Sequence, residues 1–311
     1  MTLAPGLHRI SAAEYHADPC PRPSLSSTLA RKLLSRSPLH AWTACPRLNP
    51  DWVSEDRKTF DIGRAAHREM LGAGGDYAVI PEDVLASNGA ASTKEAKAFI
   101  AECREAGITP LKEDEADAIR TMAAIARHRL AGMGIVLDPG RSELVALAEI
   151  GGCPVRAMLD NLPERGPVYD FKTAENASPE GARRAAESYG WDVQAAHYLD
   201  TVEAATGERR RFRFVVQEKE PPYEVGVYEL HDAESDDADW MLDARHKAAE
   251  ARAIWSECLR TGVWPGYPPM VAVLGAASYY RAKWADRPCV APVPQAAMDR
   301  AMAWQSPGGM K

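Results

Sequence analysis

The residues best suited to chemistry fall within one short stretch of this 311-residue chain. Asp160 is followed ten residues later by Asp170-Phe171-Lys172. Two short apolar runs around these positions read as strands, and neighbouring strands can bring Asp160 and Asp170 together at one end of a sheet. Alternation along the second strand points Asp170 and Lys172 to the same face. Two close carboxylates repel unless a cation lies between them, and hard oxygen donors suit Mg²⁺ or Mn²⁺. A lysine beside such an ion can orient or deprotonate water, or counter charge developing on a phosphate. That set of groups is what phosphodiester hydrolysis needs. A D-x-K triplet alone, however, is more often a surface ion pair between chance charges.

Further candidates surround this centre. Glu143 and Glu149 lie on the preceding strand, and their six-residue spacing puts both on one face, so alternation does not choose between them. Gln194 and Tyr198 are four apart on a predicted helix and share a side. Beside a nucleic acid, an amide and a phenol can hold a phosphate or base edge; the plainer alternative is a buried tyrosine with a local partner. His197 reads as structural. Gly63 and His67 are likewise four apart. A glycine inside a helix costs about 1 kcal/mol relative to alanine, which calls for a packing reason such as close approach of another backbone. His67 could then offer a ring nitrogen to a metal. The Arg209-Arg210-Arg211-Phe212-Arg213-Phe214 run could touch a phosphate backbone, although solvated edges are the commoner use of such runs. The same holds for Arg31, Lys32 and Arg36.

The elements that must position these residues follow from pattern. A serine-capped helix is expected over 28–34 and stops at Ser37-Pro38. Helices are expected over about 59–71, 92–106 and 113–132. Residues 143–150 and 154–160 form a hairpin about Gly151-Gly152, and 168–172 a third strand. Ser178-Pro179 starts a helix that continues, bent at Gly190, to Gly207. Strands over 211–217 and 224–230 precede a helix from 232 to about 262. The order predicts a mixed α/β sheet flanked by helices.

Composition bounds the function. Hydrophobic residues make up 46% and charged residues 26% of the chain, enough for a proper core. Neither a secretory leader nor an apolar run of about 18 residues is visible, so a cytosolic protein without a membrane span is expected. Six scattered cysteines form no CxxC pair, which argues against zinc ribbons and iron–sulfur clusters. A net charge of −7 argues against coating DNA by charge alone but leaves room for a local basic channel. The absence of GxxxxGK(S/T) and GxGxxG loops argues against a nucleotide-driven motor.

Taken in order, Gly63-x-x-x-His67, Glu143, Asp160, Asp170-x-Lys172 and Gln194-x-x-x-Tyr198 resemble the series of the RecB-like branch of the PD-(D/E)xK nucleases. More closely, the chain is similar to the exonuclease VIII family of phage and prophage recombination nucleases. Ser24-Leu25-Ser26-Ser27 through Ser37-Pro38, Val216–Tyr223 and Gly262–Tyr267 extend the likeness, which covers roughly residues 20–270. The resemblance implies a restriction-endonuclease-like core with a central mixed sheet and an N-terminal helical elaboration. Residues 1–270 would form one nuclease domain, helical over 20–135 and catalytic over 140–262, with 271–311 a tail of unassigned role. It further implies a Mg²⁺-dependent 5′→3′ exonuclease, tolerant of Mn²⁺, acting on linear duplex DNA ends to leave a 3′ single strand. Asp160 and Asp170 would bind metal, with Glu143, His67 and the Phe171 carbonyl completing the set. Lys172 would be catalytic, and Gln194 and Tyr198 would contact substrate. A homo-oligomeric ring, a single-strand annealing partner and a bacterial cytoplasm are the expected setting. An endonuclease, a 3′→5′ exonuclease or an inactive DNA-binding relative would share the same site.

Overall fold

A computed structural model of the protein describes residues 2–53, 58–232 and 239–285. The chain divides into two compact units, one ending at Gly266 and one beginning at Tyr267. In the first unit, β1 (Gly6–His8), α1 (Ala12–His16), α2 (Ser27–Ser35), α3 (Pro38–Thr43) and α4 (Lys58–Leu71) come first. They are followed by β2 (Tyr77–Val79), α5 (Lys94–Glu105), β3 (Thr109–Leu111) and α6 (Glu113–Gly132). The larger strands are β4 (Ser142–Ile150), β5 (Cys153–Asn161) and β6 (Val168–Ala174). Then come α7 (Pro179–Tyr189), α8 (Trp191–Thr206), β7 (Phe212–Glu218), β8 (Val225–Tyr228) and α9 (Trp240–Thr261). The second unit contains α10 (Ser278–Ala285).

Six strands form one mixed sheet in the order β1-β4-β5-β6-β7-β8. β4 and β5 are an antiparallel hairpin turned by Gly151 and Gly152, both at positive φ (56° and 81°), as a tight two-residue turn requires. β6 and β7 run parallel, joined by a crossover through α7 and α8. Alternation divides the side chains. Ala146, Ala157, Leu159, Val168 and Phe214 pack beneath α8 and α9. On the opposite face Tyr169, Phe171 and Val215 pack with α4 and α6, while Val145 and Leu147 pack with Tyr15 of α1. This arrangement is the expected mixed sheet flanked by helices.

β5 and β6 are the exception to the regular ladder: they pair only at Asn161↔Tyr169 and then separate. The edge of β5 freed by this fork is taken by Leu25, which bridges Val155 in parallel. Leu25 N–H donates to the Pro154 carbonyl at 2.9 Å, and Arg156 N–H donates to the Leu25 carbonyl at 3.0 Å.

Several elements differ from the sequence expectation. Ser37-Pro38 does more than end α2. Ser37 Oγ accepts from the His40 N–H, and Pro38 occupies the first turn of α3, where its missing N–H is harmless. The expected bend at Gly190 is a complete break, because Gly190 adopts φ 63°, ψ 45° and separates α7 from α8. α1 carries a Ser11/Glu14 capping box in a stretch that otherwise reads as irregular. The start expected for α9 near 232 lies partly outside the described residues, and α9 is seen from Trp240.

Candidate metal centre

The fork between β5 and β6 is where the polar residues meet. An uninterrupted ladder would set Asp160 against Asp170. Instead the Asp160 carboxylate replaces a backbone acceptor, its Oδ2 taking the Phe171 N–H at 2.7 Å. His67, from the middle of α4, stands over the same place. Its Nε2 lies 3.0 Å from the Phe171 carbonyl and 3.6 Å from Asp160 Oδ2, and its Nδ1 lies 3.9 Å from Glu143 Oε1. The ring rests edge-on against Phe171, with centroids 5.6 Å apart.

Glu143 reaches this group by an unusual route. It holds φ 54°, in the left-handed region, and is skipped in the pairing of β4 with β5 between Ser142 and Leu144. Such a conformation costs a non-glycine residue about 1 kcal/mol or more and is held only where surroundings demand it. Gly74, at φ 106°, follows α4 close by; a Cβ there would sit 3.8 Å from Glu143 Oε1. Glu149, by contrast, lies opposite Pro154 near the hairpin turn and pairs with exposed Arg22 at 2.9 Å. The choice that alternation left open is thus made by backbone geometry.

On β6 the Lys172 ammonium lies 2.5 Å from Asp170 Oδ2, and Gln194 Nε2 donates to Asp170 Oδ1 at 2.7 Å. Gln194 therefore holds a carboxylate and is not open to solvent. Tyr198, expected as a substrate contact, is likewise buried and packs edge-on against Phe212. Their shared helix face points into the sheet. His197 is fully buried, with Nε2 3.1 Å from the Arg156 carbonyl. Gly63 has open space where a Cβ would stand, among the described residues, so no close backbone approach accounts for it. The arginines of 209–213 are engaged locally: Arg209 with Glu203, Arg210 with Glu208, and Arg211 and Arg213 with Glu229.

The electrostatics follow from burial of like charges. Burial raises the Asp170 pKa to about 6, with Asp160 adding to the rise and Lys172 opposing it. Burial likewise raises Asp160 against the pull of His67 and Lys172. For His67 burial disfavours the charge, but Asp160, Glu143 and Asp170 together outweigh it and raise the pKa to about 9. The site is an anionic cluster seeking a cation. One donor atom each from His67, Glu143 and Asp160 lies within 4.8 Å of the others, a spacing that one ion can bridge. Asp170 Oδ2 is buried, with the Lys172 ammonium as its partner. One imidazole nitrogen with carboxylate oxygens suits a hard or borderline divalent ion.

This geometry agrees with sequence comparison. A family model described as a PDDEXK-like domain of unknown function (DUF3799) matches residues 27–274. The chain belongs to this family. A solved protein of Eubacterium rectale described as a "Putative exonuclease" shares the PDDEXK-like fold. The TM-score is 0.56 at 12% identity, over 94% of this chain and 98% of that one. An alkaline exonuclease (LHK-Exo) from Laribacter hongkongensis aligns at a TM-score of 0.24 and 16% identity, over 66% of this chain and 98% of that one. No curated protein matches the sequence. Among the described residues of this PDDEXK-like protein, no helix is long and apolar enough to cross a membrane. Five cysteines are free and buried, and Cys289 lies outside the described residues.

Sequence reasoning missed the contributions of Leu25 and Gly74. Neither residue type signals a site, and both act through backbone placement.

Proposed function

We propose that this PDDEXK-like protein is a divalent-metal-dependent exodeoxyribonuclease that degrades one strand of linear duplex DNA from its 5′ end, leaving a 3′ single strand for recombination. The observation that carries the reading is the convergence of His67, Glu143 and Asp160 at the β5–β6 fork, with Lys172 2.5 Å from Asp170 beside it. His67, Glu143, Asp160 and Asp170 would hold Mg²⁺, with Mn²⁺ able to substitute. The Phe171 carbonyl would join them only by releasing its contact with His67. When bound, the ion supplies Lewis acidity at the phosphodiester and a lowered pKa for water.

The protein's own residues do the rest. Lys172 positions the attacking water and counters charge developing on the phosphate. Water oxygen forms the new bond to phosphorus as the bond to the 3′ oxygen breaks; that oxygen takes a proton, leaving a 3′-hydroxyl and a 5′-phosphate. Gln194 fixes the Asp170 carboxylate. Charged groups held in a partly buried fork act more strongly than the same groups free in water. The proposed setting is a bacterial cytoplasm, with a homo-oligomeric ring around DNA and an annealing protein that receives the 3′ strand.

The test is digestion of linear duplex DNA labelled at the 5′ or the 3′ end, with Mg²⁺, with EDTA and with Lys172→Ala. Early Mg²⁺-dependent release of 5′ label, with 3′ label retained, is the expected result. Cutting of closed circles would replace the exonuclease reading by an endonuclease one. Binding without any cleavage, across Mg²⁺ and Mn²⁺, would identify an inactive DNA-binding relative.

A further inference from the structure

Glu143 and Asp160 come from neighbouring strands, and the register of β4 and β5 brackets them: Ser142 pairs with Asn161, and Leu144 with Leu159. Ser142 and Asn161 are wholly buried, although both side chains are polar. Asn161 Nδ2 donates to Ser142 Oγ at 2.9 Å and to the Asp138 carbonyl at 2.7 Å. Ser142 Oγ in turn donates to the Leu71 carbonyl at 3.0 Å. Leu71 is the last residue of α4, about one turn beyond His67, and its carbonyl is among those that a helix end leaves without an intrahelical donor. This helix end and the corner before β4 are close: a Cβ on Gly72 would lie 3.3 Å from Pro139 Cβ.

Two polar side chains thus join α4, β4 and β5, the elements that carry His67, Glu143 and Asp160. Asn161 is also the residue through which β5 pairs with β6, so the junction stands at the root of the fork. Glu143, with its left-handed backbone, follows Ser142 directly. Holding Ser142 from two sides therefore fixes the strand at the point where Glu143 leaves its regular path. Stability alone does not account for the pair. Asn161 Oδ1 is buried with no hydrogen-bond partner among the described residues, and an unpaired buried acceptor is destabilising. Apolar residues of similar size would serve the core as well.

On the metal-site reading above, we propose that Ser142 and Asn161 are positioning residues whose hydrogen-bonded pair sets the spacing of His67, Glu143 and Asp160, and with it the affinity for a divalent ion. Their polar atoms are used on one another and on the Asp138 and Leu71 carbonyls, so they act on the ligands through the backbone.

The experiment titrates Mn²⁺ calorimetrically into wild type, Ser142→Ala, Asn161→Ala and the double variant, with Leu147→Ala as a destabilised control buried elsewhere on β4. Groups that orient metal ligands contribute roughly 10–100-fold to affinity. Ser142→Ala is the smaller change, and its Kd for Mn²⁺ is expected to rise about tenfold. Asn161→Ala is expected to match it, and the double variant to exceed either by less than about threefold, because both break one pair. In digestion of linear duplex by Ser142→Ala, kcat is expected to fall at the Mg²⁺ concentration that saturates wild type. Raising Mg²⁺ about tenfold should restore it, with KM for DNA within about twofold throughout. Leu147→Ala is expected to lower the melting temperature and keep the wild-type Mn²⁺ midpoint. A wild-type midpoint in folded Ser142→Ala overturns the inference and leaves the metal site standing, and so does an equal shift in Leu147→Ala. Wild type that binds neither Mn²⁺ nor Mg²⁺ ends the metal-site reading, and the positioning role with it.

Discussion

Replacing Asp170 by asparagine should make the metal-free protein more stable and the metal-loaded protein less so. Asp170 is 2% exposed, and its pKa is about 6 in the fold against 3.8 for the free group. Each unit corresponds to 1.36 kcal/mol, so keeping the carboxylate ionised in the metal-free fold costs about 3 kcal/mol. The sign follows from proton binding. Between pH 3.8 and 6 the folded chain holds the Asp170 proton more often than the unfolded chain does. Stability therefore falls as pH rises through that window, and the whole cost is present at pH 7.5. Asparagine removes the charge and keeps an oxygen for Gln194, but it deprives Lys172 of its partner. Lys172 is 24% exposed at the side chain, and partial hydration limits that loss. A net gain of about 1–2 kcal/mol is expected by urea unfolding in EDTA at pH 7.5, shrinking to below about 0.5 kcal/mol near pH 4. Mg²⁺ at a hundredfold over its Kd should stabilise wild type by about 2.7 kcal/mol, and the variant by much less. An Asp170→Asn protein that is less stable in EDTA, or that gains as much from Mg²⁺ as wild type, would refute the account of a strained anionic site awaiting a cation.

Glu143→Gly should release left-handed strain of about 1 kcal/mol, offsetting lost contacts in EDTA, while removing most Mg²⁺ stabilisation. Glu149→Gln should leave the Mg²⁺ response unchanged and stability within about 0.5 kcal/mol, as its pair with Arg22 is exposed; calorimetric Mg²⁺ titration of both variants checks this. Lys172→Ala should lower cleavage of end-labelled duplex by more than about a hundredfold while retaining the wild-type circular dichroism spectrum. His197 is fully buried with its pKa lowered to about 4, against 6.5 for the unfolded chain. The unfolded chain therefore takes up the proton first, and stability should fall by up to about 3 kcal/mol as pH drops from 6.5 to 4. Denaturation across that range should show a shallower slope for His197→Asn.

The fold was readable where one periodicity ran long enough. The β4–β5 hairpin, β6 and helices α4 to α6 all follow from apolar spacing and glycine turns. Elements of a few residues were not, since β1, β2 and β3 have three residues each and no pattern repeats within them. α1 was signalled by Ser11-x-x-Glu14, but five residues give no apolar face to confirm a cap. At the site, residue type and spacing pointed to Asp160, Asp170 and Lys172 as neighbours, the family resemblance added His67, and the structure places the four together. Glu143 could not be chosen over Glu149, because alternation describes a regular strand and Glu143 leaves it. Gln194 and Tyr198 were correctly placed on one helix face, but nothing in their spacing says whether that face meets a substrate or a sheet.

The departure of β6 from β5 explains why the chemistry gathers where it does. A closed ladder satisfies its own backbone groups and leaves nothing for a ligand, whereas a fork exposes donors and acceptors that must find other partners. Here the Asp160 side chain takes the Phe171 N–H, His67 meets the Phe171 carbonyl, and Leu25 covers the Arg156 N–H farther along β5. The side chains that fill the crotch are thereby held in place by the needs of the backbone itself. Their charges are left insufficiently compensated in a buried place, as the raised pKa values of Asp160 and Asp170 record. A fork that closes would lose the site, and a fork filled with apolar side chains would leave the Phe171 amide without an acceptor. The geometry that weakens the sheet is therefore the same geometry that orients the carboxylates toward a cation.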